Sequence, residues 1–284
     1  MMASLPVKLL LCAAGYCSHP EFLTLRGGAL RPVPFPAGFA CMLHPTYGPV
    51  LFDTGYSGRF FTETASLPNA LYRHITPVVF REEDSAASQL RGAGITPEEV
   101  QYIVVSHFHA DHIGGLRDFP NARFIYLQKA YDAVKQLGSL RRVRAGFLPG
   151  LLPDDFMARS LPVAAGSAVR SFKPGFPFEE AYDLLGDGSL LAVELSGHAA
   201  GMIGLFISTA SQDYLLCADA VWSSRAFMEN RPPHPAAGLI MSDREEYKRS
   251  FELLRRLHTR FPAVRIVPSH CREALVAWGT GEWE

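Results

Sequence analysis

His107-Phe108-His109-Ala110-Asp111-His112, entered through Tyr102-Ile103-Val104-Val105-Ser106 and left through Ile113-Gly114-Gly115, places three imidazoles and a carboxylate within six residues. The apolar, β-branched approach predicts a strand. No single face of a strand or helix can aim all four side chains at one point, so the strand must end in a tight turn, for which the two glycines supply the backbone freedom. Imidazole and carboxylate are donors suited to zinc and neighbouring divalent ions. An isolated His-x-His reads as an ordinary surface loop, but here further candidate donors follow strand-like runs downstream, at Gly197-His198, Ala218-Asp219-Ala220 and Pro268-Ser269-His270.

A chain of 284 residues can bury one large core, and a single domain over 1–284 is expected. Its 27 basic and 28 acidic residues leave a formal net charge of −1. That balance creates no global field toward nucleic acid or an anionic membrane, so the expected partner is a small molecule, with a homodimer as a further option. Cys12, Cys17, Cys41, Cys217 and Cys271 are spread without a C-x-x-C pair, which argues for a reducing, cytoplasmic setting and against a disulfide framework. The apolar run Leu9-Leu10-Leu11-Cys12-Ala13-Ala14 is short for a secretion signal and only one lysine precedes it, so a first β-strand is expected. No run approaches the length of a membrane span.

Turn-bounded apolar runs predict strands at Val7–Ala13, Phe39–His44, Val50–Asp53, Gln101–Val105 and Arg123–Leu127. Gly15–Gly38, which contains Arg31-Pro32-Val33-Pro34-Phe35-Pro36, is expected to be irregular. Helical patterns occupy Ser85–Gly92 and Lys129–Leu137, and Thr96-Pro97-Glu98-Glu99 reads as a helix start. From residue 138 to about 177 the periodicity is lost while Phe147, Leu148, Leu151, Leu152, Phe156 and Met157 accumulate. Beside a metal site such an insertion is a candidate lid or substrate wall, or else a helical hairpin packed on the surface or on a second subunit. The Asp187-Gly188 turn predicts a hairpin from Tyr182–Leu185 to Leu190–Leu195, and strands follow at Met202–Ser208, Tyr214–Ala218 and Val264–Val267. Ser242-Asp243-Arg244-Glu245 is a capping box for a helix whose Tyr247, Phe251, Leu254, Leu257 and Phe261 form a core stripe. Strands in two groups, each followed by helices, predict an α/β (α+β) protein of two packed sheets with helices outside.

Taken together these elements resemble the metallo-β-lactamase superfamily, with its H-x-H-x-D-H motif at 107–112, isolated later histidine (His198), bridging aspartate (Asp219) and last histidine (His270), all preceded by Phe52-Asp53-Thr54-Gly55. The resemblance covers most of the chain. It implies an αββα sandwich of two mixed sheets with the site at one edge. It also implies that His107, His109 and His198 hold one metal, that Asp111, His112 and His270 hold a second, and that Asp219 bridges them, with Asp111 and Asp219 in catalytic roles. Composition alone allows two metals, because seven candidate donors are present where one catalytic zinc needs three. Zinc is the expected ion, and iron, manganese and cobalt accept the same donors. Two ions roughly 3.5–4 Å apart would hold a bridging hydroxide at neutral pH. Asp53 is a candidate partner for the outer nitrogen of a ligand histidine, or a turn cap before Thr54-Gly55.

Within the superfamily the chain is most similar to the N-acyl homoserine lactonase branch, through Leu11-Cys12-Ala13-Ala14-Gly15-Tyr16-Cys17, the Pro-rich stretch, Gly48–Gly55 and the length after Asp219. That similarity implies a quorum-quenching hydrolase opening a lactone or related carboxylic ester. The alternatives are phosphodiester, thioester or β-lactam hydrolysis on the same metal pair, or a metal-binding protein without catalysis. One departure stands out: those lactonases often carry a tyrosine three residues beyond the bridging aspartate, where this chain has Trp222. An indole N–H donates a hydrogen bond but cannot act as an acid. Trp222, His234, Phe147 and Phe156 are the candidate substrate residues, with pocket wall or plain packing as the other reading of Trp222. His19, His44, His74 and His258 fall outside the ligand pattern and are expected to be surface or structural residues.

Overall fold

The computed structural model describes residues 5–164 and 167–278, so the remaining positions of the expected domain over 1–284 lie outside the described residues. Seven strands form the first sheet: β1 (Lys8–Pro20), β2 (Pro32–His44), β3 (Gly48–Phe52), β4 (Val78–Val79), β5 (Tyr102–Val104), β6 (Arg123–Leu127) and β7 (Ser160–Val163), in the order β4-β1-β2-β3-β5-β6-β7. Six form the second: β8 (Val169–Ser171), β9 (Glu180–Asp183), β10 (Leu191–Glu194), β11 (Ile203–Ser208), β12 (Asp213–Ala218) and β13 (Val264–Pro268), in the order β13-β12-β11-β10-β9-β8. Both sheets are mixed, with β3, β5, β6 and β7 parallel in the first and β12 and β13 parallel in the second. This is the αββα sandwich.

Leu9-Leu10-Leu11 shows why these strands are apolar without alternation. Successive side chains point to opposite faces. Leu9 and Leu11 join the cluster between the sheets with Leu205, Leu215 and Ile266, whereas Leu10 joins Ala86, Leu90 and Ile103 beneath the outer helix Ala86–Gly92. A strand covered on both faces has no polar face to show.

The first correction concerns the Pro-rich stretch. The stretch Gly15–Gly38 is mostly strand: past a bulge at Ala13/Tyr16, β1 and β2 stay paired, with Tyr16 opposite Pro36, Ser18 opposite Pro34 and Pro20 opposite Pro32. The Gly38 N–H donates to Ser269 and the Pro36 carbonyl meets His270, so this side of β2 faces away from β1. With a period of two, the imide nitrogens of Pro32, Pro34 and Pro36 all face that side too, and they remove no ladder bond.

The second correction concerns residues 138–177, which are woven into the sandwich. β7 extends the first sheet beside β6 and β8 edges the second beside β9. Phe147, Leu148, Leu151, Leu152 and Phe156 are buried in the core on the outer face of the first sheet, and Phe156 stacks on Phe124 and Tyr126 with ring centroids 5.2 and 5.6 Å apart. Phe147 and Phe156, expected to line substrate, are therefore packed as core residues. Periodicity fails because the segment passes from the helix Ser139–Arg144 through a 3-10 turn to the helix Phe156–Arg159 and a strand, each too short to reveal a period. Likewise Thr96 heads only a single 3-10 turn, closed by its capping box with Glu99.

Replacing Phe156 by Ala should lower unfolding free energy by about 3–5 kcal/mol in urea titrations, the cost of a large core cavity. A lid residue would show a loss near zero.

Candidate metal centre

Every donor sits just beyond the end of a strand. β5 runs between β3 and β6, and after Val105 the chain leaves the sheet into His107–His109 and the short helix Ala110–Ile113. The loop is pinned from three sides: Ala110 N–H donates to Gly146, Thr54 N–H and Oγ1 donate to the His112 carbonyl, and Ser57 Oγ donates to Gly114. Gly114 lies so close to the turn after β3 that a Cβ there would stand 2.5 Å from the Gly55 carbonyl oxygen, which is why glycine closes the motif.

The other donors arrive from the second sheet. His198 follows β10 in a loop held by the start of the helix Arg244–Arg260: Ser242 N–H donates to His198, while Ser242 Oγ and Asp243 N–H donate to Gly197. This alters the expected capping box. Asp243 is the cap, accepting from Glu245 and Glu246, and Ser242 is freed to hold the loop. Gly197, at φ +128, would put a Cβ 2.1 Å from Tyr247 N. Asp219 follows β12 directly after Ala218, whose φ of +48 is costly for a residue with a side chain. His270 follows β13.

Seven side chains converge. Donor atoms within 4.8 Å of one another group His107, His109 and His198; Asp111, His112 and His270; and, linking the two, His107, His112 and Asp219. His198 Nε2 lies 3.0 Å from His109 Nδ1. Asp219 Oδ2 is 3.0 Å from His270 Nε2 and 3.3 Å from His198 Nε2, while its Oδ1 is 3.3 Å from His112 Nε2. Asp111 Oδ2 is 3.3 Å from His270 Nε2.

The outer nitrogens explain which way the inner ones face. His112 Nδ1–H donates to Asp53 Oδ2 at 2.7 Å, and His270 Nδ1–H donates to the Pro36 carbonyl at 2.7 Å. His107 Nδ1–H donates to Ser106 Oγ at 3.0 Å, and that hydroxyl donates onward to Asp53 Oδ2 at 2.7 Å. Each outer bond fixes the tautomer and turns a lone pair at Nε2 inward. His107 Nε2, His112 Nε2 and Asp219 Oδ1 are buried without any hydrogen-bond partner. Orphaned donors with lone pairs aimed at one point are what a cation site requires.

Electrostatics agree. Burial, reinforced by His112 and His109, holds His107 well below the usual imidazole range. Burial also pulls His109 down to about 4 and His198 to about 3, against the carboxylates beside them. For His112 burial works the same way but is outweighed by Asp53, Asp219 and Asp111, so it is raised, and His270 is raised against burial chiefly by Asp219. Burial likewise opposes ionisation of Asp219, yet His270 and His112 hold it well below the ordinary range. The carboxylates thus demand positive charge that either protons on two imidazoles or divalent cations can supply, and neutral imidazoles are the ligating form. The donor set fits divalent metal.

The Metallo-beta-lactamase superfamily model matches residues 43–270, which span every one of these donors. The chain belongs to the metallo-beta-lactamase superfamily. It is by that membership a metal-dependent hydrolase. It is similar to the N-acyl homoserine lactonase AttM of Azorhizobium caulinodans, 28% identical over 260 residues covering 87% of this chain and 85% of that one. It is also similar to AttM of Rhizobium radiobacter, 27% identical over 234 residues and 78% of each chain. A solved N-acyl homoserine lactone hydrolase with its product N-hexanoyl-L-homoserine bound at the catalytic metal center superposes with a TM-score of 0.71 over 99% of this chain and 100% of that one, at 20% identity, and shares the fold.

Of the candidate substrate residues, only Trp222 reaches the donors. Its indole Nε1–H donates to Asp219 Oδ2 at 3.1 Å, and its ring lies edge-on to His198. His234 is exposed and acts as a cap, accepting from Ala236 N–H and packing on Phe22. His44 is a buried structural residue held by Ser189 and Asp187. Asp53 is the partner of His112. Ser106 was not singled out in the sequence although it directly precedes His107, and the Pro36 carbonyl left no side-chain signal at all.

Replacing Asp53 by Asn would present an N–H to His112 Nδ1 and move the imidazole proton to Nε2, the inward atom. Metal affinity should fall about ten- to a hundredfold in chelator competition. Unchanged affinity would separate Asp53 from the centre.

Proposed function

We propose that this chain is a dinuclear zinc hydrolase that opens lactones of the N-acyl homoserine type or cleaves related carboxylic esters. One observation carries the reading: six buried donors and the half-buried His109 converge as two three-residue sets, one of three histidines and one of Asp111, His112 and His270, with Asp219 within 3.3 Å of members of both. The likeness to N-acyl homoserine lactonases along most of the chain supports the choice of substrate. An apolar cluster of Cys17, Phe35 and Ala237, edged by Val33 and Met241, reaches the donors through Trp222 and offers a wall for an acyl chain. On this reading the Pro-rich hairpin contributes the substrate wall.

When bound, the two ions would supply Lewis acidity toward the ester carbonyl and activate a water at neutral pH. Hydrolysis would join the water oxygen to the carbonyl carbon, break the ring C–O bond and pass the proton given up by the water to the leaving oxygen. Asp111, 10% exposed against 3% for Asp219, is the carboxylate with access to the site to relay that proton. Asp219 remains fixed between the two sets. Iron, manganese and cobalt suit the same donors, and availability decides among them. Five free thiols fit a reducing, cytoplasmic setting. For a homodimer, Leu71, Ile75 and Leu140, exposed on two contacting helices, offer the apolar surface.

Protein purified without chelator should carry about two equivalents of metal. Asp111→Asn, His112→Ala and His198→Ala should each lower turnover by orders of magnitude, whereas His258→Ala, on the helix Arg244–Arg260, should leave it near wild type. Equal activity in all four variants would sink the assignment.

In a panel of lactones, carboxylic esters, thioesters, phosphodiesters and β-lactams, the lactones should show the highest kcat/KM. A phosphodiester turned over faster than any lactone would overturn the substrate class and leave the metal centre standing.

A further inference from the structure

We propose that Trp222 is a positioning residue of the metal centre, holding Asp219 in the rotamer that turns its free oxygen toward His112. The inference rests on the metal-centre reading above and assigns Trp222 a role that needs no contact with substrate.

The Asp219 carboxylate is shared, and its two oxygens sit in different surroundings. Oδ2 accepts from the Trp222 indole at 3.1 Å and faces His270 and His198, whereas Oδ1 is buried, lies 3.3 Å from His112 Nε2 and has no hydrogen bond. Because the two oxygens are chemically identical, a half-turn of the carboxylate reproduces the same arrangement, and what the indole fixes is the plane: one oxygen always meets an N–H that only donates and does not titrate, and the other always faces His112. Oδ1 is thereby left with its lone pairs unspent, in a place where an orphaned oxygen is costly unless a cation meets it.

The ring itself cannot swing aside. Trp222 is 5% exposed, with His198 edge-on at 5.3 Å, Tyr247 near-parallel at 6.1 Å, and Cys17 and Phe35 in the same cluster. Tyr247 belongs to the helix whose first residues clamp the His198 loop. One ring therefore touches a donor of the first set, the shared aspartate and the helix that holds them in place. Backbone and side chain act together, the left-handed Ala218 aiming the Asp219 Cα and the indole setting its oxygens. With its N–H committed to Asp219, Trp222 has no donor to offer a substrate carbonyl.

Trp222→Phe keeps an aromatic ring and deletes the N–H. In chelator competition, affinity for the more weakly held zinc should fall about ten- to a hundredfold, with the unfolding midpoint of the metal-free protein close to wild type. This readout needs no substrate, so it stands or falls apart from the lactone assignment. If wild type takes up a single equivalent, the dinuclear reading fails and the same comparison on that one ion still tests Trp222. The wild-type protein supplies a second measurement should the variant fail to fold. The Trp222 indole 15N–H resonance, assigned through its contacts with the His198 and Tyr247 rings, should shift as zinc is added. Unchanged zinc affinity in Trp222→Phe, or a Trp222 indole resonance that zinc does not move, would overturn the proposal.

Discussion

A single buried carboxylate ties the parts of this site together. Asp53, at the end of β3, accepts from the Ser106 backbone N–H, the Ser106 hydroxyl and His112 Nδ1, and through Ser106 it also reaches His107. It thus couples two parallel neighbours of the first sheet at the height where both leave the sheet. Its φ of +59 is a conformation that a residue with a side chain adopts at a cost. The hydrogen bonds gathered around it compensate for that strain. Without this anchor neither His107 nor His112 would have its tautomer fixed, and their inward nitrogens would not be committed as lone pairs.

The same logic recurs around the rest of the centre with different materials. His270 is oriented by a backbone carbonyl on the Pro-rich part of β2, His198 by a loop strapped to the start of the helix Arg244–Arg260, and Asp219 by a strained backbone and an indole. Most of these supports come from elements remote in sequence from the donors they orient. The cluster is therefore a property of the assembled sandwich, and the electrostatic tension among its imidazoles and carboxylates is sustained only because both sheets deliver their strand ends to one edge.

Much of this was legible in the residues. The 107–112 motif with its closing glycines, the strand runs before each donor and the helix stripe of Tyr247, Phe251, Leu254 and Leu257 all appear where local pattern placed them. What escaped was governed by partners. Prolines at alternate positions look like strand breakers until one knows that their nitrogens face away from the neighbouring strand. The apolar residues of 138–177 look like a lid until Phe156 is seen stacked on Phe124 and Tyr126. In both cases hydrophobic content was read correctly and its address was not.

Sequence alone determined the chemistry available: which donors exist, that they follow strands, that glycine must close the motif, and that the fold is a two-sheet sandwich of a known superfamily. These are consequences of residue type and short-range spacing, which act over a few bonds. Tertiary structure decided which nitrogen of His107, His112 and His270 faces inward, that Ser106 relays His107 to Asp53, that the 138–177 segment meets the site through Gly146 while its phenylalanines enter the core, and that the Trp222 N–H is spent on Asp219. Those outcomes depend on hydrogen bonds and packing between residues that reach as far as 234 positions apart. Most of those pairings become definite only once the two sheets have closed on each other.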